Sequence, residues 1–231
     1  MPTIEKNIAD VKARIQAAAQ LADRDPSDLL LMAVSKTRVA EDVRIAATCG
    51  IDSFGENYLQ EALEKIAAVE PLATEWHFIG PLQSNKTRQV AENFSWVHTV
   101  DRIKIAQRLS AQRPAALGAL NVCLQVNIDR EGSKSGLMAE EALKMAFSVA
   151  QMPNLRLRGL MAIPKSRSGL DSQREPFRKL RLLKNQINQA LDNSQKLDTL
   201  SMGMSGDIEA AIYEGATILR VGTDIFGQRN S

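Results

Sequence analysis

Lys36 is the first residue whose type and place could carry chemistry. It follows the apolar run Leu29-Leu30-Leu31-Met32-Ala33-Val34 by two positions. A lysine at the end of a buried strand is partly desolvated, which disfavours its ammonium and makes the amine a better nucleophile toward an aldehyde. The competing account is a strand-end lysine with its head group in water. Near the other end, Ser201-Met202-Gly203-Met204-Ser205-Gly206 and Gly222-Thr223 place small and hydroxyl residues after two further apolar runs. Such loops let backbone N–H groups and a helix start approach a phosphate. They also make ordinary turns and caps, with Ser205 near a cap position.

Arg220 lies two residues before Gly222, so the pleat sends both to one side. A buried guanidinium needs a partner. A phosphate, a heteroaromatic nitrogen, or the carboxylate of Asp224 or Glu56 could serve. His77 and His98 fall in separate strands without metal-ligand spacing, so they are expected to pack or hydrogen-bond at a barrel lining, and no metal is assigned. Nothing resembles a P-loop, a dinucleotide fingerprint or a Gly-x-Ser-x-Gly elbow.

These residues need a frame. Ile4, Ile8, Val11 and Ile15 recur at helical spacing, an additional N-terminal helix ended by Asp25-Pro26-Ser27. Strands are then predicted at Leu29–Val34, Ile51–Phe54, Trp76–Ile79, Trp96–Val100, Val122–Ile128, Leu155–Met161, Leu197–Met202 and Ile218–Val221. Helical stretches separate them, among them Val39–Cys49, Tyr58–Val69 and Gln173–Asp192. Eight βα alternations without a Gly/Pro/Ser-rich linker predict an α/β fold, a single (β/α)8 TIM barrel occupying residues 1–231, with an open doubly wound sheet as the rival. Functional residues of such barrels sit where strands run out into βα loops. Those positions here are rich in Gly, Ser and Asn.

Composition narrows the classes further. The 29 basic and 27 acidic side chains leave a formal net charge of +2, which gives no electrostatic case for nucleic acid. Hydrophobic residues make up 44% and aromatics 4%, so the core is aliphatic and disorder is not expected. Cys49 and Cys123 are isolated, which points to a reducing, cytoplasmic setting. No apolar run approaches the roughly 20 residues that span a bilayer, so no membrane partner is expected. The basic stretch Arg174, Arg178, Lys179, Arg181 and Lys184 reads as a solvated face of a helix capped by Pro176.

At these residues the sequence resembles the pyridoxal 5′-phosphate (PLP) homeostasis protein family. The matching words include Ala33-Val34-Ser35-Lys36-Thr37, Phe54-Gly55-Glu56-Asn57-Tyr58, Trp76-His77-Phe78-Ile79-Gly80-Pro81-Leu82-Gln83-Ser84-Asn85-Lys86, Ser133-Lys134-Ser135-Gly136, Arg158–Pro164, Ser201–Ser205 and Arg220-Val221-Gly222-Thr223. They cover nearly the whole chain in order. Asp224 departs from the small or uncharged residue that many relatives carry. The resemblance implies the fold-type III PLP-binding barrel found in alanine racemase. It implies that Lys36 holds PLP as a Schiff base, and that Ser205 with the Gly222 and Thr223 amides grips the phosphate. Arg220 then faces the pyridine nitrogen, Asn57 lines the cofactor, and Ser201 and Met202 lie against the ring.

Two functions follow from that resemblance. One is a PLP carrier without robust catalysis, with apo PLP-dependent enzymes as acceptors. The alternative is a PLP-dependent amino-acid racemase, which needs a base on each face of the α-carbon. Tyr58 and Tyr213 are the tyrosines present. The chain ends soon after the eighth strand, so no second domain is expected, and a monomer with an open cofactor mouth is favoured.

Overall fold

This computed structural model describes residues 3–70, 72–132 and 134–228, so Ser133 of the Ser133-Lys134-Ser135-Gly136 segment lies outside the described residues. Eight parallel strands form a closed barrel in sequence order: β1 (Leu30–Val34), β2 (Ser53–Glu56), β3 (Glu75–Phe78), β4 (Trp96–Val100), β5 (Leu120–Gln125), β6 (Leu155–Met161), β7 (Thr199–Ser201) and β8 (Ile218–Val221). β8 pairs back onto β1 through Met32↔Arg220 and Ala33↔Val221, which closes the ring and excludes the open sheet. Helix α1 (Ile4–Leu21) precedes the barrel, and α2 (Ala40–Thr48), α3 (Leu59–Val69), α4 (Thr87–Asn93), α5 (Ile103–Gln112), α6 (Ala139–Ala150), α7 (Leu170–Ala190) and α8 (Ile208–Tyr213) follow successive strands. A short α9 (Thr223–Phe226), not foreseen from the sequence, follows β8.

Alternation along the strands decides which side chains meet where. Outward residues such as Ala33, Phe54, Phe78, Leu200 and Leu219 join the helices in one large apolar layer. Met32, Ile79, Trp96, Cys123, Met161 and Ile218 form a separate cluster inside the barrel. Gly159 permits one close crossing, because a Cβ there would lie 1.8 Å from the Thr199 carbonyl oxygen.

Strand ends differ from expectation where polar residues find partners. β2 runs to Glu56 rather than stopping at Phe54. It can do so because buried Glu56 accepts from Lys65 Nζ and Ser35 Oγ, each at 2.7 Å. α7 starts at Leu170 after Gly169 (φ 84°), so Pro176 lies inside the helix rather than capping it. Its missing N–H forgoes one helical bond, offset by burial of Pro176 and Phe177. Nor is the basic stretch of α7 merely solvated. Arg174, Arg178 and Arg181 converge on Glu214, whose side chain is only 1% exposed, at 2.8, 3.3 and 2.9 Å.

Candidate cofactor site at the carboxyl mouth of the barrel

The loops after β1, β7 and β8 meet around a cavity of about 240 Å³. Lys36, Asn57, Ser205, Arg220, Gly222 and Thr223 all line it. Six of the eight positions singled out in the sequence therefore share one space. Their joining is a direct result of barrel closure, since β1 and β8 are neighbours.

Lys36 sits in a turn braced from behind. Lys65 Nζ, from α3, donates to the Ser35 carbonyl oxygen at 2.5 Å and to Glu61 at 2.6 Å. The Thr37 N–H donates to the Glu61 carboxylate at 2.5 Å, and Thr37 adopts a left-handed φ of 64°. Burial pushes the Glu56 carboxyl up from its ordinary value, opposed by its bonds to Lys65 and Ser35. Lys65 holds the backbone before Lys36 and Glu61 holds it after. Strain at Thr37 is of the kind that persists only when surrounding contacts over-determine it.

Arg220 points inward from β8 and is 4% exposed. Its Nη1 donates to Ser201 Oγ at 2.8 Å and its Nη2 to the Ala162 carbonyl oxygen at 2.9 Å. Burial lowers its pKa to about 10, so it stays charged at neutral pH. Neither carboxylate named for it from the sequence is its partner. Glu56 is taken by Lys65 and Ser35, and Asp224 by Arg14. A guanidinium has five N–H groups, so donors remain for a ligand.

Ser201 and Met202 do not line the cavity. Ser201 lies below its floor, bonded to Arg220 and, through Oγ, to His98 Nδ1 at 2.8 Å. Met202 has the opposite pleat and packs fully buried in the outer apolar layer. Met204 takes the place at the cavity wall instead. The Gly203 between them has φ 92°, and a Cβ there would lie 2.6 Å from that of Ala211. Only glycine turns the chain this way at that point.

Sequence reasoning did not single out Arg38 and Ile79 on the cavity wall, whereas Ile163 and Met204, also there, fall in strand-end loops that it did name. Arg38 donates to the Gly227 carbonyl oxygen at 2.6 Å, tying the β1 loop to the segment after α9. Its place two residues beyond Lys36, in the same βα loop, was the available signal. Tyr58 stands at the start of α3, 54% exposed, and does not line this cavity. Lys134 pairs with Glu131 at 2.7 Å. Among the described residues no cluster of His, Cys, Asp and Glu could hold a metal ion, and no helix is long and apolar enough to cross a membrane.

The loops suit an anionic, heteroaromatic ligand. The Asp224 N–H donates to Ser205 Oγ at 3.3 Å, which leaves the hydroxyl proton for an acceptor in the cavity. Gly222 approaches β1 so closely that a Cβ would lie 3.2 Å from the Val34 carbonyl oxygen. Asn57 lines the cavity, and its Oδ1 is buried with no hydrogen-bond partner among the described residues.

Residues 7–230 match the family described as alanine racemase, N-terminal domain. A pyridoxal phosphate homeostasis protein of Pseudomonas aeruginosa is 58% identical over 230 residues, covering 100% of this chain and 97% of the relative. PipY of Synechococcus elongatus PCC7942, solved with PLP bound, superposes with a TM-score of 0.80 at 33% identity, covering 92% of this chain and 99% of PipY. Alanine racemase of Corynebacterium glutamicum shares the fold alone, with a TM-score of 0.68 at 14% identity over 96% of this chain and 61% of the racemase. On this agreement of barrel, cavity and sequence, the chain belongs to the pyridoxal phosphate homeostasis protein family, built on the alanine racemase N-terminal-domain fold.

Proposed function

We propose that this chain binds PLP in the mouth cavity and serves PLP homeostasis as a carrier, without robust catalysis of its own. One observation carries the proposal: the lysine after β1, the arginine of β8 and the two carboxyl-terminal loops surround a single cavity. The name of the Pseudomonas relative and the PLP-bound PipY structure support the choice of ligand.

When bound, PLP supplies an electrophilic aldehyde that a primary amine can hold reversibly. Lys36 provides that amine. Ser205 Oγ and the Gly222 and Thr223 N–H groups take the phosphate, because small residues allow backbone donors to reach its oxygens. Arg220 would face the bound ring and, as a cation, would disfavour protonation of its pyridine nitrogen, since two cations in contact repel. Asn57 would line the ligand's space. Ser201 acts from below, holding Arg220 in place.

A ring kept without its proton is a weak electron sink, which suits holding the cofactor better than reactions through a carbanion. The racemase alternative needs a second base, and Tyr58 is half exposed outside the cavity. Apo PLP-dependent enzymes are the acceptors in this proposal, and the chain acts as a monomer in the cytoplasm.

The test is uptake of added PLP by the purified protein, followed by visible absorbance and by borohydride fixation mapped to the modified lysine. Stoichiometric fixation at Lys36, with no change in enantiomer ratio across a panel of L-amino acids, is expected. No uptake would remove PLP binding altogether. Robust racemisation would replace the carrier by an enzyme.

A further inference from the structure

The residues that grip an anion at the mouth are themselves held from outside the barrel. Arg14 leaves α1 toward the loops after β7 and β8. Its Nη1 donates to the Ser205 carbonyl oxygen at 2.8 Å and to Asp224 Oδ2 at 3.0 Å. Its Nε and Nη2 hold the two oxygens of Glu209, the latter at 2.7 Å. One guanidinium thus fastens both loops that carry Ser205, Gly222 and Thr223, although Arg14 does not line the cavity.

The local charge makes this contact more than a brace. Asp207, Glu209 and Asp224 all belong to the same two loops and the helices they open. Asp224 adjoins Thr223 and joins Ser205 through its own N–H. A phosphate monoester carries about −1.5 to −2 charges near neutral pH. Placing it beside an uncompensated Asp224 would set like charges against each other. Arg14 meets two of the three carboxylates directly. Asp207 is occupied differently, accepting from the Met204 N–H at 2.6 Å.

We propose that Arg14 is a positioning residue for the phosphate end of the site: it neutralises Asp224 and pins the Ser205 loop, so that this chain tolerates an acidic residue beside the ligand's anion. The proposal rests on the PLP reading above. It differs in predicting selectivity for the phosphate rather than for the aldehyde.

The experiment compares PLP with pyridoxal, which keeps the aldehyde and lacks the phosphate, in wild type, Arg14→Gln and Arg14→Gln/Asp224→Asn. Dissociation constants come from absorbance titration, and circular dichroism reports the fold. Arg14→Gln is expected to weaken PLP by about tenfold, roughly the effect of one partly screened charge contact, with pyridoxal changed less than twofold. The double variant is expected to recover most of the PLP affinity. Equal losses for both ligands, an unchanged PLP affinity, or a double variant no better than the single one would each overturn the proposal. Should Arg14→Gln fold poorly, the charge-neutral double variant decides alone, and a tenfold loss of PLP there counts against it. Wild type that takes up neither ligand sinks the PLP reading itself, whereas wild type that binds with variants that miss the pattern sinks only the role of Arg14.

Discussion

His77 Nδ1 lies 3.0 Å from His98 Nε2 in the middle of the barrel. The contact belongs to a longer chain. Glu75 Oε2 is 3.1 Å from His77 Nε2, and Ser201 Oγ joins His98 Nδ1 to Arg220, each at 2.8 Å. Arginine can only donate and an ionised carboxylate can only accept. The polarity therefore runs one way: Arg220 donates to Ser201, Ser201 to His98, His98 to His77, and His77 to Glu75. Both imidazoles are neutral in this arrangement, each with its proton on Nε2. A reversed chain would face a bare His77 nitrogen to the Glu75 carboxylate.

This arrangement predicts acid sensitivity from the core. Burial lowers the pKa of His98 well below 6.5, helped by His77 and Arg220, and burial also lowers that of His77 despite Glu75. Stability from the neutral pair is fully present above the ordinary histidine value and drains as pH falls below it, because the unfolded chain then binds protons the barrel refuses. The slope is about 1.4 kcal/mol per pH unit for each histidine. Urea unfolding at pH 7.5 and pH 5.5 measures it. A His77→Gln/His98→Gln variant with the wild-type loss across that interval would show that the histidines are not the source.

The chain also explains what was and was not legible in the sequence. Strand alternation placed Lys36, Arg220 and Gly222 at one mouth, because local apolar runs fix the strands and barrel closure then joins the first to the last. Alternation also separates Ser201 from Met202, yet the boundary of the short β7 was needed to say which faces inward. His77 and His98 are 21 positions apart, and only adjacency of β3 and β4 makes them touch. The three-arginine contact on Glu214 was similarly invisible, since a basic helix face looks the same solvated or paired.

Gly80 offers a test of how the site is shaped from behind. A Cβ at this position would lie 2.0 Å from the Asn57 carbonyl oxygen. Gly80→Ala must therefore move the backbone that presents Asn57 to the cavity. Overpacking of this kind costs about 1–3 kcal/mol. We expect a lower melting temperature together with weaker PLP binding. An alanine variant that melts and binds as wild type would mean that the β3 loop yields without disturbing Asn57.

Glu214 is expected to matter for stability and not for ligand affinity. Burial pulls its pKa upward, but bonds to Arg181, Arg174 and Arg178 outweigh that and hold it below its ordinary 4.5. A depressed carboxylate pKa gives stability above the ordinary value that is lost as pH falls through the lowered one. Glu214→Gln leaves three arginines facing a neutral amide. The expected cost is about 2 kcal/mol, discounted because the arginines are partly exposed. Equilibrium unfolding at pH 7 measures it, and an unchanged midpoint would return α7 to a merely solvated face.

Ligand linkage separates binding at Lys36 from binding at the phosphate loops. A ligand at 100 times its dissociation constant stabilises the folded state by about 2.7 kcal/mol. For a chain of this size that corresponds to a melting temperature roughly 5–10 °C higher. Wild type with PLP should show the full rise and retain the cofactor after borohydride and denaturation. Lys36→Ala should fold normally, since Lys36 heads a surface turn rather than the core, and should retain nothing covalently. It should still gain part of the rise from PLP, because Ser205, Gly222, Thr223 and Arg220 remain. Pyridoxal should give this variant no rise, having neither the amine to condense with nor a phosphate to be gripped. Covalent retention at the wild-type level in Lys36→Ala would place the reactive amine elsewhere, and loss of the entire PLP-dependent rise would show that the loops contribute no grip of their own.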